Sequence, residues 1–317
     1  MIKAFIREEE TFKSVTLEPE ELASLDISTM IWLDLVSLTL EESTVVERVL
    51  KLELPTRQES EEIEYSSRYW EDESGIWINT SFLVKAEENF VSETVSLILK
   101  NNYLATVRFA DQRIFTDFSR RLRLNPRAFN NGVDILSGLL AMRVDNDADL
   151  IEHLSNEIVT IGRKDPQSFE NPSEFLDNIT SYEDINITFR ENLSDKHRVI
   201  SSLLKSAMIS DTQKREMTIM IKDVNSLIIS ANFNFERLSY LQNLFLSYLN
   251  MEQNKVIKIF TVMSVIFLPP TLIASVYGMN FQYMPELQWT LGYPWALALI
   301  VVSAVLPVYI FKKKGWL

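Results

Sequence analysis

The chain has 317 residues, 46% of them hydrophobic, carries a net charge of −13 and contains no cysteine. Lack of cysteine excludes disulfides, thiolate metal sites and cysteine nucleophiles. The acidic balance argues against a nucleic-acid partner, which needs basic surface to release counterions.

The charge is unevenly spread. Residues 1–254 carry 26 Lys+Arg against 43 Asp+Glu, whereas residues 255–317 carry five Lys and a single acid, Glu286. A hydrophilic body is therefore joined to a nearly uncharged tail. The first ten residues, MIKAFIREEE, hold no apolar core of signal-peptide length, so no cleavable secretory signal is expected.

Short β-like runs and amphipathic stretches alternate over the first 130 residues, which predicts an α+β domain. Ile31–Leu35 reads as a strand, and Thr39 with Glu42 has capping-box spacing ahead of a helix to Leu52. Further strands are expected over 76–84, 94–99 and 103–109, the last two joined by a turn at Lys100-Asn101-Asn102. A helix is expected over 112–123. Between Pro172 and Pro269 stand 96 residues without glycine or proline. One helix of that length would run roughly 140 Å, so a break is expected near Ser210-Asp211, with an antiparallel helix pair on its two sides. His153 and His197 stand alone in helical stretches, and no glycine-rich phosphate loop or nucleophile–base motif is present; the chain does not read as an enzyme.

No residue between Lys258 and Glu286 is charged. Residues 259–276 and 294–311 each supply 18 mostly apolar positions, near the lower limit for crossing about 30 Å of hydrocarbon. Lys255 and Lys258 precede the first span, Lys312, Lys313 and Lys314 follow the second, and the loop between carries no Lys or Arg. The positive-inside rule then puts both chain ends in the cytoplasm and the loop outside. The expected organisation is a cytoplasmic α/β domain over 1–130, a helical hairpin region over 131–210, and a stalk helix entering the first span over 211–276. An external loop over 277–293, a second span over 294–311 and a basic cytoplasmic tail over 312–317 complete it.

Steps of three and four along the helix leading into and through the first span align Asn250, Asn254, Ile257, Thr261, Ser264, Leu268, Thr271 and Ser275. Small and hydroxyl residues serve close helix packing in membranes as well as lining an aqueous path, and the stripe alone fits both uses. Two spans cannot enclose such a path, so a pore requires several copies about an axis. Pro269-Pro270 is expected to bend this helix.

Beyond the first span stands Tyr277-Gly278-Met279-Asn280, then Met284-Pro285-Glu286-Leu287, and the chain closes on Lys-Lys-Lys-Gly-Trp-Leu. With two flanking spans, this pattern resembles the CorA family, most strongly from about Asn250 to the end. The resemblance implies a funnel-shaped homopentamer in a bacterial inner membrane, with the stalk helix running into the pore-lining span and the second span against lipid. It implies Mg2+ influx, with Co2+ and Ni2+ as further cargo, Mg2+ as both transported and regulatory ion, and no organic cofactor. Gly278, Met279 and Asn280 take the role of the outer selectivity site. Matching without gaps from Asn280 puts the family's pore-facing positions on Thr271, Leu268, Ser264, Ile257 and Asn254, all on the stripe, and on Phe260 in place of Thr261.

Such a site suits an ion that sheds water reluctantly. Amide oxygens accept hydrogen bonds from coordinated water without adding charge, whereas a carboxylate ring would hold a dication too long to conduct. Leu268 and Ile257 would form apolar constrictions, and Glu286 would raise the dication concentration at the mouth. In the family, Mg2+ between cytoplasmic domains keeps the channel closed; the candidate acids here are Glu87, Glu88, Glu216 and Asp223. The family's stalk aspartate falls nearest Ile219, a departure at that position. Two rivals stand beside this reading: a zinc transporter of the related ZntB type, and a membrane-anchored oligomeric scaffold that conducts nothing.

Overall fold

A computed structural model describes residues 1–9, 11–61, 68–86, 89–164 and 172–315. It divides into two compact units, Met1–Leu241 and Gln242–Leu317.

The first unit is built on one mixed sheet. Strands β1 (Ile2–Glu8), β2 (Thr11–Leu17), β3 (Met30–Val36), β4 (Tyr69–Asp72), β5 (Gly75–Ala86), β6 (Asn89–Lys100) and β7 (Tyr103–Arg108) lie in the order β2-β1-β3-β7-β6-β5-β4. Every pairing is antiparallel except β3 with β7, where Leu33 stands beside Ala105. All seven residues of β3 are buried, as in a strand covered on both faces. Leu33 and Leu35 join Val46 and Leu50 of helix α1 (Leu40–Leu50) in the core on one face. Alternation sends Trp32 and Asp34 the other way. There Trp32 stacks on Phe5 at 4.2 Å and meets Phe118 edge-on at 5.5 Å.

α1 begins with the expected box: Thr39 Oγ1 accepts from the Glu42 N–H, and the Glu42 carboxylate accepts from the Thr39 N–H at 2.8 Å. After a single turn α2 (Arg57–Ser60), helices α3 (Arg113–Leu124), α4 (Gly132–Arg163) and α5 (Pro172–Leu203) follow. Gly132 marks a close approach, since a Cβ there would lie 2.4 Å from the Tyr103 carbonyl carbon. The expected strands at 76–84 and 94–99 are longer than the sequence suggested; they form one 12-residue hairpin pair.

Charge is buried where α4, α5 and β5 meet. Arg143 and Lys196 both bind Asp147, Lys196 at 2.9 Å, and Arg143 donates to the Leu83 carbonyl at 3.0 Å. Thr80 donates to Asp195 at 2.9 Å and Lys196 to Asn192. Burial pushes the fully enclosed Lys196 ammonium down to about 8, against the pull of Asp147. A second buried pair, Arg108 with Asp34 at 2.9 Å, ties β7 to β3.

Helix α6 (Asp211–Tyr277) starts in the first unit, after the break between Leu203 and Asp211, and continues into the second with Pro269 and Pro270 inside it. A 3-10 turn at Pro285–Gln288 and helix α7 (Gly292–Lys313) complete the second unit.

Candidate functional site

The two helical segments of the second unit that are long and apolar enough to cross a membrane lie in α6 and α7. Between Ile259 and Tyr277 the half-buried residues are Val262, Val265, Ile266, Pro269, Pro270, Ile273 and Tyr277. On α7 they are Gly292, Ala296, Leu299, Ile300, Ser303, Ala304, Pro307, Val308 and Phe311. At about 100° per residue each set forms one seam along its helix. On α6, Ile257, Ser264, Leu268, Thr271 and Ser275 fall on the side roughly opposite the seam. All five are exposed, Leu268 at 66%. Asn254 and Thr261 border that side on one flank and Phe260 on the other, each exposed. The polar stripe is therefore not what holds the two helices of one chain together.

Two stripe hydroxyls are already committed as donors. Thr271 donates to the Phe267 carbonyl at 2.7 Å and Thr261 to the Ile257 carbonyl at 2.8 Å. Their protons are turned into the helix, and the oxygen lone pairs remain as acceptors on the exposed face.

α6 ends at the Gly-Met-Asn segment. The Gly278 N–H still reaches the Ala274 carbonyl at 2.9 Å, while the Met279 N–H takes a shorter-ring bond to Val276 at 3.3 Å, a tightened last turn. Met279 and Asn280 are exposed, and the Asn280 carboxamide makes no hydrogen bond among the described residues. The loop after it turns through Leu287 N–H to Met284 at 3.2 Å and Gly292 N–H to Trp289 at 3.1 Å. Gly292 is needed there, because a Cβ would sit 2.3 Å from the Glu286 carbonyl oxygen. The sequence reading did not single out that glycine. Glu286, Trp289, Tyr277 and Gly278 line a cavity of about 420 Å³ where the loop meets the end of α6.

The candidate regulatory acids lie elsewhere. Glu216 and Asp223, two turns apart on α6, line a cavity of about 420 Å³ in the first unit with Asp134 and Asp145, and Arg121 faces the same space. Asp134 is engaged structurally, accepting from the Asn130 N–H and from Gln213, both at 2.7 Å. Among the described residues no three His, Asp or Glu side chains gather into a group able to hold a metal. Ile219, where the sequence departs from the family pattern, is exposed between the two acids. Glu87 and Glu88 lie outside the described residues.

Residues 28–313 match the model of the CorA-like Mg2+ transporter protein family. A magnesium transport protein CorA of Wolinella succinogenes is 42% identical over 298 residues, covering 92% of each chain. One from Campylobacter jejuni is 39% identical over 302 residues, covering 91% of each. The complete structure of the CorA magnesium transporter from Methanocaldococcus jannaschii superposes with a TM-score of 0.84 at 20% identity, covering 100% of this chain and 99% of that one.

Proposed function

The chain belongs to the CorA family of Mg2+ transporters, and from that membership we propose that it is one subunit of a homo-oligomeric channel admitting hydrated Mg2+. The observation that carries this reading is the exposed stripe of α6, turned away from the α7 seam and ending at an unpartnered Asn280. A face bearing hydroxyl acceptors has no use against hydrocarbon, and several copies about an axis give it water. A pentamer is the number that the family resemblance implies.

In this channel Asn280 carboxamides, one from each copy beside Gly278 and Met279, accept hydrogen bonds from the ion's coordinated waters. Thr271 offers a deeper ring of oxygens, and Leu268 and Ile257 close the path by dewetting. Ser264 and Asn254 line the remainder, and Glu286 holds dications near the mouth. Both ends of the chain stand in the cytoplasm of a bacterial inner membrane, because the lysines flank the spans on that side. Magnesium bridging Glu216 and Asp223 to acids of a neighbouring copy, with Glu87 and Glu88 as further candidates, holds the channel shut. Co2+ and Ni2+ are secondary cargo. Curated relatives that carry the magnesium transport name across nine-tenths of this chain favour Mg2+ over the zinc reading.

Flux into liposomes tests the proposal. Asn280→Ala is expected to abolish selective Mg2+ uptake, a loss of at least about 100-fold, while the oligomer still assembles by size-exclusion chromatography with light scattering. A hundredfold corresponds to about 2.7 kcal/mol, the scale of a lost set of charge-assisted hydrogen bonds. Mg2+ uptake at the unmodified rate would remove Asn280 from the mechanism.

A further inference from the structure

Helix α6 packs along α4 in a single register. Gln213 donates to Asp134 at 2.7 Å, Ser155 donates to Asn234 at 3.0 Å, and a Cβ at Gly162 would meet the Leu241 side chain at 2.9 Å. The two residues of each pair stand 79 apart in the chain, so the helices run parallel and keep step from Gln213 to Leu241. Between Met217 and Leu241 the inward positions of α6 recur at steps of three and four, and Asn234 is the one polar residue among them. The facing side of α4 repeats likewise through Ile151, Leu154, Ile158 and Ile161, with Ser155 half-buried beside them. A third helix enters the same layer: Asn186 of α5, 1% exposed, donates to the Ala231 carbonyl at 2.8 Å, one turn before Asn234.

Stability does not account for Asn234. At 2% exposure its carboxamide nitrogen lacks a partner among the described residues, and so does the Asn186 carboxamide oxygen. Hydrogen bonds left unmade by buried groups cost free energy. The Ser155 hydroxyl also reaches the Ile151 carbonyl at 2.8 Å, and Asn186 is held by Ala231, so an apolar side chain at position 234 would strand neither. What the asparagine supplies is register. A seam that is apolar at every step of three and four is satisfied again after a slip of one turn, about 5.4 Å. An amide that has to meet one hydroxyl is not.

We infer that Asn234, with Gln213 at the start of the helix, fixes the axial register of α6 against α4 and α5. α6 is one helix from Asp211 to Tyr277, so the same register positions the channel-lining stripe; this part of the inference rests on the channel reading. Asn234 touches no ion and acts as a positioning residue. Gln213 is the weaker anchor, because it lies in the first turn and its carboxamide oxygen is shared with Ser210.

The chain has no cysteine, so introduced pairs report the register cleanly in full-length protein in detergent. Gly162→Cys with Leu241→Cys tests the observed register. Gly162→Cys with Leu238→Cys, or with Phe245→Cys, tests a slip of one turn toward either end, and peptide mass spectrometry reads the intrachain disulfide. In an otherwise unmodified chain the first pair is expected to close and the slipped pairs to reach less than about a tenth of it, as one stranded buried amide dictates. Asn234→Leu is expected to raise a slipped pair at least about threefold, the scale of one net hydrogen bond. Adding Gln213→Ala is expected to bring the observed and slipped pairs level. The unfolding midpoint of Asn234→Leu alone is expected not to fall, and Asn234→Val, nearer in volume, replaces it if the leucine variant does not fold. Mg2+ uptake into liposomes by Asn234→Leu without the cysteines is expected to drop at least about threefold. If Asn234→Leu with Gln213→Ala still closes only the observed pair, apolar packing sets the register and the inference falls. It falls equally if a slipped pair forms while Mg2+ uptake is unchanged. Unmodified protein that takes up no Mg2+ would overturn the channel reading instead, and the disulfide pattern would still report the register.

Discussion

The two units of this chain solve the problem of polar groups in apolar surroundings in opposite ways. Between Met1 and Leu241 the chain supplies its own interior: β3 is buried along its whole length, and even Asp147, Arg143 and Lys196 are enclosed with their partners. From Leu246 to Gly315 no described residue is buried, and the largest apolar side chains lie open. The first unit carries its own solvent, so to speak, and the second borrows one. Hydrocarbon suits most of the second unit's surface, and in the proposed channel the Ser264–Leu268–Thr271–Ser275 side is turned to other copies and water. Difference in where the partners come from predicts how substitutions in each unit will act.

Beyond the loss of selective uptake in Asn280→Ala, the largest effect belongs to the first unit's buried charges. Asp147→Ala leaves Arg143 and Lys196 enclosed without their shared carboxylate, and breaking such a pair costs about 3–5 kcal/mol. Urea unfolding followed by circular dichroism is expected to show most of the stability lost. An unchanged midpoint would mean that the network is wet.

Next in size is a pH effect of Lys196. Its folded value near 8 lies below the roughly 10.4 of an exposed lysine. Below pH 8 both states hold the proton and the cost of burying the charge is felt in full. Between about pH 8 and 10.4 the unfolded chain holds a proton that the folded one has released, so this group's contribution to stability rises with pH. The difference between the unmodified protein and Lys196→Met should climb by about 3 kcal/mol across that window. Parallel pH profiles for the two proteins would refute the assignment.

What the sequence made legible divides along the same line. Thr39 and Glu42 declared the α1 start because a cap is a local bond, and β3 was legible from its run of large apolar residues. The two spans and the stripe on α6 were legible because a uniform solvent imposes one rule on every turn. Tertiary facts were not. Arg143 and Asp147 are four apart on a helix, a spacing usual for a solvated surface pair, and only packing of Lys196 against them shows that they are buried. Gln112 fell inside the expected helix at 112–123, whereas the structure starts α3 at Arg113 and leaves Gln112 as an uncapping N-cap. The β1–β2 hairpin escaped notice because β2, at the sheet edge, lacks a clean alternation of burial. For the site, periodicity gave the stripe, while the role of Asn280 came from the resemblance and still rests on it.

A smaller effect tests the stripe chemically. Thr271→Val keeps the shape of the side chain and removes the oxygen whose proton is already bound to Phe267. Mg2+ flux in liposomes is expected to fall about tenfold, or 1.4 kcal/mol at the barrier, with assembly unchanged. Flux unaltered by this change would return the stripe to helix packing.

The smallest effect is the one that separates the units most cleanly. Val95 in β6 is fully buried, while Val302 on α7 is 57% exposed on the side opposite the seam. Truncating each to alanine removes the same two methyl groups. In the first unit the vacated space is dry and enclosed, so Val95→Ala should cost about 2 kcal/mol in transfer and cavity terms together. In the second, lipid tails fill the space, and hydrocarbon is as apolar as the methyls it replaces. Val302→Ala should therefore shift neither the oligomer's unfolding midpoint nor its Mg2+ flux, within about 0.5 kcal/mol. A loss there as large as that of Val95 would mean that protein, not lipid, covers this face of α7, and the arrangement of copies about the axis would have to be redrawn.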